Sequence, residues 1–148
     1  MTGRARPESG DLDTGSRVAA VADLSGPIDL TGVALTDDFA PLQLEYLGCT
    51  SFQSCPAAER ASPNFHVDPT DPPFFIAHST TEKIPLAQSE RFVEDLRDAG
   101  IDVDFLVADG ALHSIALLDD DLKQRIVAFY LRTLGAGVAP TADPDAAE

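Results

Sequence analysis

Two short apolar runs with an amphipathic stretch between them dominate the pattern of hydrophobic and polar positions in this chain. The runs cover residues 74–77 and 103–107, and each is nearly continuous, which is typical of a strand buried on both faces. Between them, apolar residues recur at helical spacing over residues 85–99, and Gly100 ends the predicted helix. A strand, a helix and a strand of this length predict a parallel crossover unit.

A third apolar run, VAAVADL at residues 18–24, predicts another buried strand. One short helix is predicted to run from a cap at residues 37–39 to about Leu47. A second short helix is predicted to cover residues 56–60. A last helix is predicted from about Asp119 to Gly135. Its expected buried stripe consists of Leu122, Ile126, Phe129, Tyr130 and Leu134. The three strands are expected to lie side by side in chain order, with the two longer helices packed on the sheet.

The two ends of the chain lack this periodicity. Residues 1–16 are polar and are interpreted as loop or disorder, and residues 136–148 form a Pro- and Ala-rich acidic tail that is also expected to be disordered. One α/β domain is therefore predicted at residues 17–135.

Two residues with catalytic chemistry follow two of the predicted strands. Glu82 lies in the polar loop after residues 74–77, and His113 lies in the Gly-containing loop after residues 103–107. Functional groups collect at the carboxyl ends of parallel strands, so the crossover is expected to bring these side chains together. A carboxylate and the histidine base that it orients are two thirds of a catalytic triad. The nucleophile is missing, because no G-x-S-x-G elbow occurs in the chain.

Four segments resemble the α/β-hydrolase superfamily, in its esterase/lipase branch of feruloyl-esterase-like and dienelactone-hydrolase-like proteins. They are RVAAVADLSGPIDL, YLGCTSFQSC with ASP after it, DPPFFIAHSTTEKIPLAQSERF and GALHS. In that family they correspond to the sixth strand, the cap segment, the seventh strand with its acid loop, and the histidine loop after strand eight. The resemblance covers residues 17–134 and implies the carboxyl-terminal portion of an α/β-hydrolase fold, with three parallel strands and flanking helices.

The same resemblance assigns the catalytic roles of a Ser-Glu-His triad to Glu82 and His113. Glu82 lies three residues before Pro85, in the register of relatives that read S-T-x-E-x-I-P. Many relatives have Asp one position earlier, where this chain has Thr81, and Asp71 lies at the wrong end of its strand. Ser25 is not interpreted as an elbow serine, because it lacks a glycine two residues earlier.

The other histidines and the two cysteines are interpreted as structural. His78 is expected to form hydrogen bonds within the sheet end, and His66 to be a loop histidine. Cys49 and Cys55 bracket TSFQS, and the sequence is compatible either with a disulfide between them or with two free thiols. A zinc site that combines them with His66 lacks a fourth ligand. No phosphate loop, dinucleotide-binding glycine pattern or metal motif occurs, so no cofactor or metal is expected.

Composition and charge narrow the range of partners. The 148 residues are enough for one domain, and a formal charge of −15 argues against binding to nucleic acid or to an anionic membrane. No apolar run approaches the roughly 20 residues needed to cross a bilayer. The first sixteen residues do not resemble a signal peptide, and a cytoplasmic location is the default expectation.

Two classes of function remain open. The first is a serine hydrolase of the carboxylesterase type, to which this chain contributes the acid, the base and part of the pocket for a small-molecule ester; a prolyl-oligopeptidase-type peptidase is possible within the same fold. The second is a truncated or degenerate α/β-hydrolase module that acts only by association. The chain alone is predicted to be inactive for lack of a nucleophile, and Met1 could be an internal methionine of a longer protein. The exposed edge of the strand at Val18 is expected to favour self-association.

Overall fold

A computed structural model of the chain describes residues 17–32 and 39–135. The expected loop at 1–16, the helix cap at 37–38 and the acidic tail at 136–148 lie outside the described residues. The strands and helices, in chain order, are β1 (Val21–Leu24), α1 (Ala40–Leu47), α2 (Pro56–Ala61), β2 (Phe74–Ser79), α3 (Leu86–Asp98), β3 (Val103–Ala108) and α4 (Asp120–Gly135). Short 3-10 turns occur at Phe52–Ser54, Pro63–His66 and Ser114–Leu117.

The three strands form one parallel sheet in the order β1-β2-β3, as predicted. Phe74 of β2 lies opposite Val21 of β1 and opposite Val103 of β3, so the three strands run in step. The central strand is buried on both faces, which explains why its sequence is apolar at successive positions. The loops that follow the strands consequently emerge at one end of the sheet.

Helices α3 and α4 cover opposite faces of the sheet. On one face, Phe92 and Leu96 of α3 pack with Ile76 of β2. On the other face, Phe129 of α4 packs with Phe75, and their ring centroids are 5.8 Å apart. Alternate residues of β2 therefore belong to two separate hydrophobic clusters. The prediction that both longer helices pack on the sheet is confirmed.

The first strand is shorter than the sequence pattern predicts. It begins at Val21 rather than at Val18, whose side chain is 61% exposed. The register places the preceding residues of this strand opposite Pro72 and Pro73. Proline has no N–H to donate, so the ladder cannot continue in that direction. The first bond at this end is the one that the Val21 N–H donates to the Pro73 carbonyl, at 3.0 Å.

The face of α4 differs from the expected stripe, and α1 presents apolar side chains to solvent. In α4, Leu122 and Phe129 are buried as predicted, but Leu134 is 47% exposed. In α1, Leu42 and Tyr46 are exposed, and a polar residue occupies the buried position. Apolar spacing alone does not distinguish which side of so short a helix meets the rest of the protein.

A disulfide joins Cys49 and Cys55, so the alternative of two free thiols is wrong. The bond closes the segment between α1 and α2. Within the described residues, no group of three or more histidine, cysteine or acidic side chains is arranged to hold a metal ion. No helix in that part of the chain is both long enough and apolar enough to cross a membrane.

Candidate active site

Glu82 occupies the loop between β2 and α3, at the carboxyl end of the central strand. Its side chain is completely shielded from solvent, with 0% of its surface exposed. A carboxylate is rarely buried without partners, because the loss of its hydration must be offset by hydrogen bonds or opposite charge. The surroundings of Glu82 supply such partners in the form of two histidines.

The first partner is His113, which lies beyond the end of β3. Its Nδ1 atom is in direct hydrogen-bonding contact with Glu82 Oε2. The His113 side chain is 44% exposed, and within residues 17–32 and 39–135 no hydrogen bond reaches its Nε2 atom. A carboxylate at Nδ1 favours the tautomer with the proton on that atom and leaves Nε2 with a lone pair. The structure thus brings together the two residues that the sequence predicts as a pair; their catalytic roles stay a prediction.

The loops that carry the pair are joined by hydrogen bonds between the end of β2 and the stretch after β3. Ser79 Oγ donates to the Leu112 carbonyl (2.6 Å), and Thr81 Oγ1 donates to the Gly110 carbonyl (2.9 Å). The Gly110 N–H donates to Thr80 Oγ1 (3.0 Å), and the Thr81 N–H also donates to the Gly110 carbonyl. These contacts fix the distance between the two loops just before the acid and the base. Sequence reasoning missed this role of the S-T-T segment, although three successive hydroxyl side chains at the end of a buried strand are a visible signal.

The second partner is His78, the fifth residue of β2. It is fully buried, and it accepts or donates hydrogen bonds on both ring nitrogens: Nδ1 meets Ser89 Oγ and Nε2 meets the Ile84 carbonyl, each at 2.8 Å. Nε2 also lies 3.1 Å from Glu82 Oε1. The expected hydrogen bonds at the sheet end are present, and the ring additionally contacts the acid of the predicted triad.

A second acidic residue lies close to this cluster. Asp23, the third residue of β1, is largely buried, and burial raises the pKa of its carboxyl group. The Gly26 N–H, which donates to Asp23 Oδ1 at 2.9 Å, and His78 partly offset that rise in pKa, whereas Glu82 adds to it. Desolvation therefore outweighs the hydrogen bond, and the net effect is a raised pKa for the Asp23 carboxyl group at the carboxyl end of the sheet.

Ser25 follows Asp23 but does not join the acid and the base. Its backbone has a positive φ of 60°, its side chain is 1% exposed, and its Oγ has no hydrogen-bond partner within the described residues. A buried hydroxyl cannot reach a substrate from this position. The interpretation that Ser25 is not an elbow serine agrees with this geometry.

The remaining residues considered from the sequence lie apart from the pair. His66 Nε2 is 3.1 Å from the Arg60 carbonyl, in the loop before β2. Asp71 accepts the Asp68 N–H at 2.9 Å and shapes the turn that leads into β2. Two surface cavities of about 500 Å³ lie elsewhere, and neither is lined by Glu82 or His113.

Comparison with known proteins identifies the family. The BD-FAE family model, an α/β-hydrolase family of the esterase type, matches residues 6–96, which is more than half of the chain. The chain belongs to the BD-FAE family. The match includes β1, the cap segment, β2, the loop of Glu82 and most of α3, and it ends before His113. No curated protein sequence matches this BD-FAE chain.

Solved structures agree with this BD-FAE fold. A truncated form of a carbohydrate esterase from gut microbiota is 25% identical over 82% of this chain and 44% of its own, with a TM-score of 0.70. Esterase 2 of Thermogutta terrifontis, phosphonylated by sarin, is 20% identical over 85% of this chain and 48% of its own, with a TM-score of 0.65. A bifunctional GH43-CE protein of Bacteroides eggerthii is 23% identical over 79% of this chain and 16% of its own, with the same TM-score of 0.65.

These similarities establish the architecture of the BD-FAE chain as part of an α/β-hydrolase esterase fold, as the sequence predicts. The chain spans less than half the length of each of these three solved proteins. The activity of a whole enzyme is therefore a separate question.

Proposed function

We propose that this BD-FAE chain supplies the acid and the base of a Ser-Glu-His triad in a carboxylic ester hydrolase. The observation that carries the proposal is the contact between the buried Glu82 carboxylate and Nδ1 of the half-exposed His113. This arrangement leaves Nε2, the atom that a triad uses as its base, without a protein partner in the described part of the chain. Membership of an esterase-type family supports the same reaction class.

The proposed chemistry follows from this geometry. Nε2 of His113 takes the proton of an attacking serine hydroxyl, and the imidazolium that forms is stabilised by the Glu82 carboxylate. The same Nε2–H then donates its proton to the alcohol that leaves the ester. The serine is left acylated; water, deprotonated by the same Nε2, then attacks this acyl ester, and the carboxylic acid and the free serine are released. The serine lies on a segment that this sequence does not include, since the chain contains no G-x-S-x-G elbow and Ser25 is buried.

The proposed substrate is a small-molecule carboxylic ester. Two of the three solved proteins described above have names that specify an esterase or a carbohydrate esterase, and they share the fold of this chain. The geometry at His113 does not distinguish an ester from a peptide bond. An ester is favoured here because the family model that matches the chain is of the esterase type.

A second candidate is a degenerate module that acts only by association. One observation favours it: none of the serines in the chain stands in a nucleophile elbow. On this alternative, the contact between Glu82 and His113 is retained as part of the fold, and the two residues catalyse no reaction.

The test is to express the reading frame extended upstream of Met1 and to assay it with a nitrophenyl ester. The proposal expects an encoded G-x-S-x-G elbow, a burst of nitrophenol and labelling of that serine by a fluorophosphonate. His113→Ala and Glu82→Gln are each expected to lower kcat/KM roughly a thousandfold or more. His66→Ala, a change at a loop histidine away from the pair, is the matched control and should retain activity.

The chain as it stands gives the complementary result. Without a nucleophile it should show no burst, and a fluorophosphonate should label none of its serines. An upstream frame without an elbow, or an extended protein that does not cleave esters, would favour the associating module. Turnover that survives His113→Ala would contradict the assignment of the base.

A further inference from the structure

The orientation of the His78 ring is determined by its hydrogen-bond partners. A carbonyl can only accept, so the contact with the Ile84 carbonyl requires His78 Nε2 to carry a proton. Nδ1 can then accept the hydroxyl proton of Ser89, which lies 2.8 Å away on α3. Both contacts are buried. The ring is consequently held with Nε2 at 3.1 Å from Glu82 Oε1.

The Glu82 carboxylate oxygen that faces His78 requires a hydrogen-bond donor. Its Oε2 atom is engaged by His113, whereas Oε1 is buried and has no hydrogen bond of full geometry within the described residues. The group at 3.1 Å from Oε1 is His78 Nε2, whose N–H points mainly to the Ile84 carbonyl. The Nε2–H of His78 therefore forms its hydrogen bond with the Ile84 carbonyl and makes an electrostatic contact with Glu82 Oε1 beside it. Without this contact, Oε1 would be a desolvated negative atom close to the Asp23 carboxylate.

We propose that His78 is a positioning residue that holds the buried Glu82 carboxylate in the orientation in which Oε2 meets His113. The inference rests on the proposed function, because it treats Glu82 as the acid of the triad. His78 does not touch the substrate. It acts through Glu82 on the tautomer of His113, and this distinguishes it from a residue that merely fills space between β2 and α3.

The mechanism of this effect is electrostatic and geometric. A glutamate has three rotatable bonds, and only a narrow set of rotamers directs one oxygen at His113. The N–H of His78 stabilises those rotamers, since they alone place Oε1 next to a donor. The other charged group that faces the cluster, Asp23 on β1, repels Glu82 and provides no alternative partner. Loss of the donor should release the carboxylate and, with it, the Nδ1–H tautomer of His113.

The experiment measures the tautomer of each of the three histidines of the chain. The chain is labelled with nitrogen-15 in histidine and studied by magic-angle-spinning NMR, which does not require a monomer, and the tautomer of each ring is obtained from its nitrogen shifts. Wild-type His113 should be mainly Nδ1–H and wild-type His78 mainly Nε2–H. Glu82→Gln should shift the tautomer ratio of His113 roughly tenfold towards Nε2–H, the size of one charge-assisted hydrogen bond.

The decisive comparison is between His78→Gln and His78→Met, which are matched in length and differ in the N–H donor. The methionine variant should shift the His113 ratio about as far as Glu82→Gln does, and the glutamine variant should retain most of the wild-type ratio. His66→Gln, at a histidine away from the cluster, should change nothing at His113. Unchanged nitrogen shifts of His66 in the Glu82 and His78 variants show whether those variants have kept their fold.

Each outcome separates the inference from the proposed function. If Glu82→Gln shifts His113 and His78→Met does not, His78 is only structural and the acid–base pair stands. If Glu82→Gln itself leaves His113 unchanged, the proposed acid is wrong. Should the methionine variant fail to fold, the wild-type spectrum still decides, because an Nδ1–H tautomer at His78 would direct a lone pair at Glu82 and overturn the proposal.

Discussion

At the scale of single residues, the site is a set of ionisable side chains in a place where burial opposes charge. Glu82 is enclosed, His78 is enclosed, and only His113 reaches solvent. The carboxylate is tolerated because an imidazole nitrogen approaches each of its oxygens. Asp23 has fewer partners, since its carboxylate accepts one hydrogen bond, from the Gly26 N–H, while burial raises its pKa. This imbalance leads to a prediction about stability.

We expect Asp23→Asn to stabilise the chain at neutral pH. A raised pKa means that the folded chain binds the proton of Asp23 more tightly than the unfolded chain does, so stability falls as pH rises from the unfolded pKa through the folded pKa. The amide removes this cost and keeps Oδ1 as an acceptor for the Gly26 N–H. The expected gain in the free energy of unfolding is on the order of 1 kcal/mol at neutral pH.

The measurement is urea unfolding at two pH values, at submicromolar concentration. The gain should disappear at a pH below the unfolded pKa of aspartate, where wild-type Asp23 is protonated in both states. Asp29→Asn is a suitable control, because Asp29 also accepts a nearby backbone N–H, that of Thr31, at 2.8 Å. Equal gains from the two variants, or a gain that persists at low pH, would contradict this account of Asp23.

At the scale of elements, the fold depends on two helices that cover the two faces of a thin sheet. Phe129 is the largest fully buried side chain of the described residues, and it joins α4 to β2 through Phe75. Arg132 lies over the same ring at 5.6 Å, which adds a cation–π contact at the edge of the cluster. One aromatic side chain therefore contributes much of the attachment of α4.

Phe129→Ala should lower the free energy of unfolding by about 3–5 kcal/mol, because it removes a buried ring and leaves a cavity. Val127→Ala, on the same helix but at a side chain that is 55% exposed, should change it by less than about 0.5 kcal/mol. Urea unfolding followed by circular dichroism compares the two. Similar losses from both variants would show that α4 is held by something other than its face on the sheet.

The elements were predictable from the sequence to the extent that their apolar patterns are local. The strands around Phe74 and Val103 and the helix between them follow from runs and spacing, and the crossover rule then fixes their order. The start of β1 was not predictable in this way, because it is set by prolines about fifty positions away that cannot pair with it. Registers between distant strands are not encoded in either strand alone.

The same distinction applies to the site. Glu82 and His113 could be predicted as neighbours because topology brings the ends of adjacent parallel strands together. The approach of His78 to Glu82 and the burial of Asp23 depend on how loops fold over the sheet end, and periodicity contains no information about this. The hydroxyl contacts of the S-T-T segment belong to the same class: the residue types are visible, but their partners are not.

At the scale of the whole molecule, the sheet has an unpaired side at β1 within the described residues. The Val21 and Ser25 N–H groups point to β2, where they meet the Pro73 and Ala77 carbonyls. Because successive residues of a strand direct their polar groups to opposite sides, Ala22 and Leu24 present theirs outwards. Helix α4 adds an exposed apolar stripe of Val127, Leu131 and Leu134. Such features favour association despite a formal charge of −15.

We therefore expect the purified chain to associate, or to be poorly soluble, at micromolar concentration. Ala22→Pro should reduce this association, because it removes an outward N–H without breaking a bond to β2. Val21→Pro is the matched control: it removes the N–H that bonds Pro73 and should destabilise the sheet itself. Sedimentation velocity measures the association state of the native chain and of both variants. A native chain that sediments as a compact monomer over this range would contradict the expectation.

The hydrogen bonds that join Ser79, Thr80 and Thr81 to the stretch before His113 have a consequence for how such a protein can change over generations. Acid, base and the bonds that set their spacing all lie within residues 74–113, on one continuous piece of chain. Insertions in the cap segment before Phe74 can lengthen, shorten or reshape the surroundings without altering that spacing. Selection can thus vary the cap segment while Glu82, His113 and the bonds between their loops are inherited as a single unit.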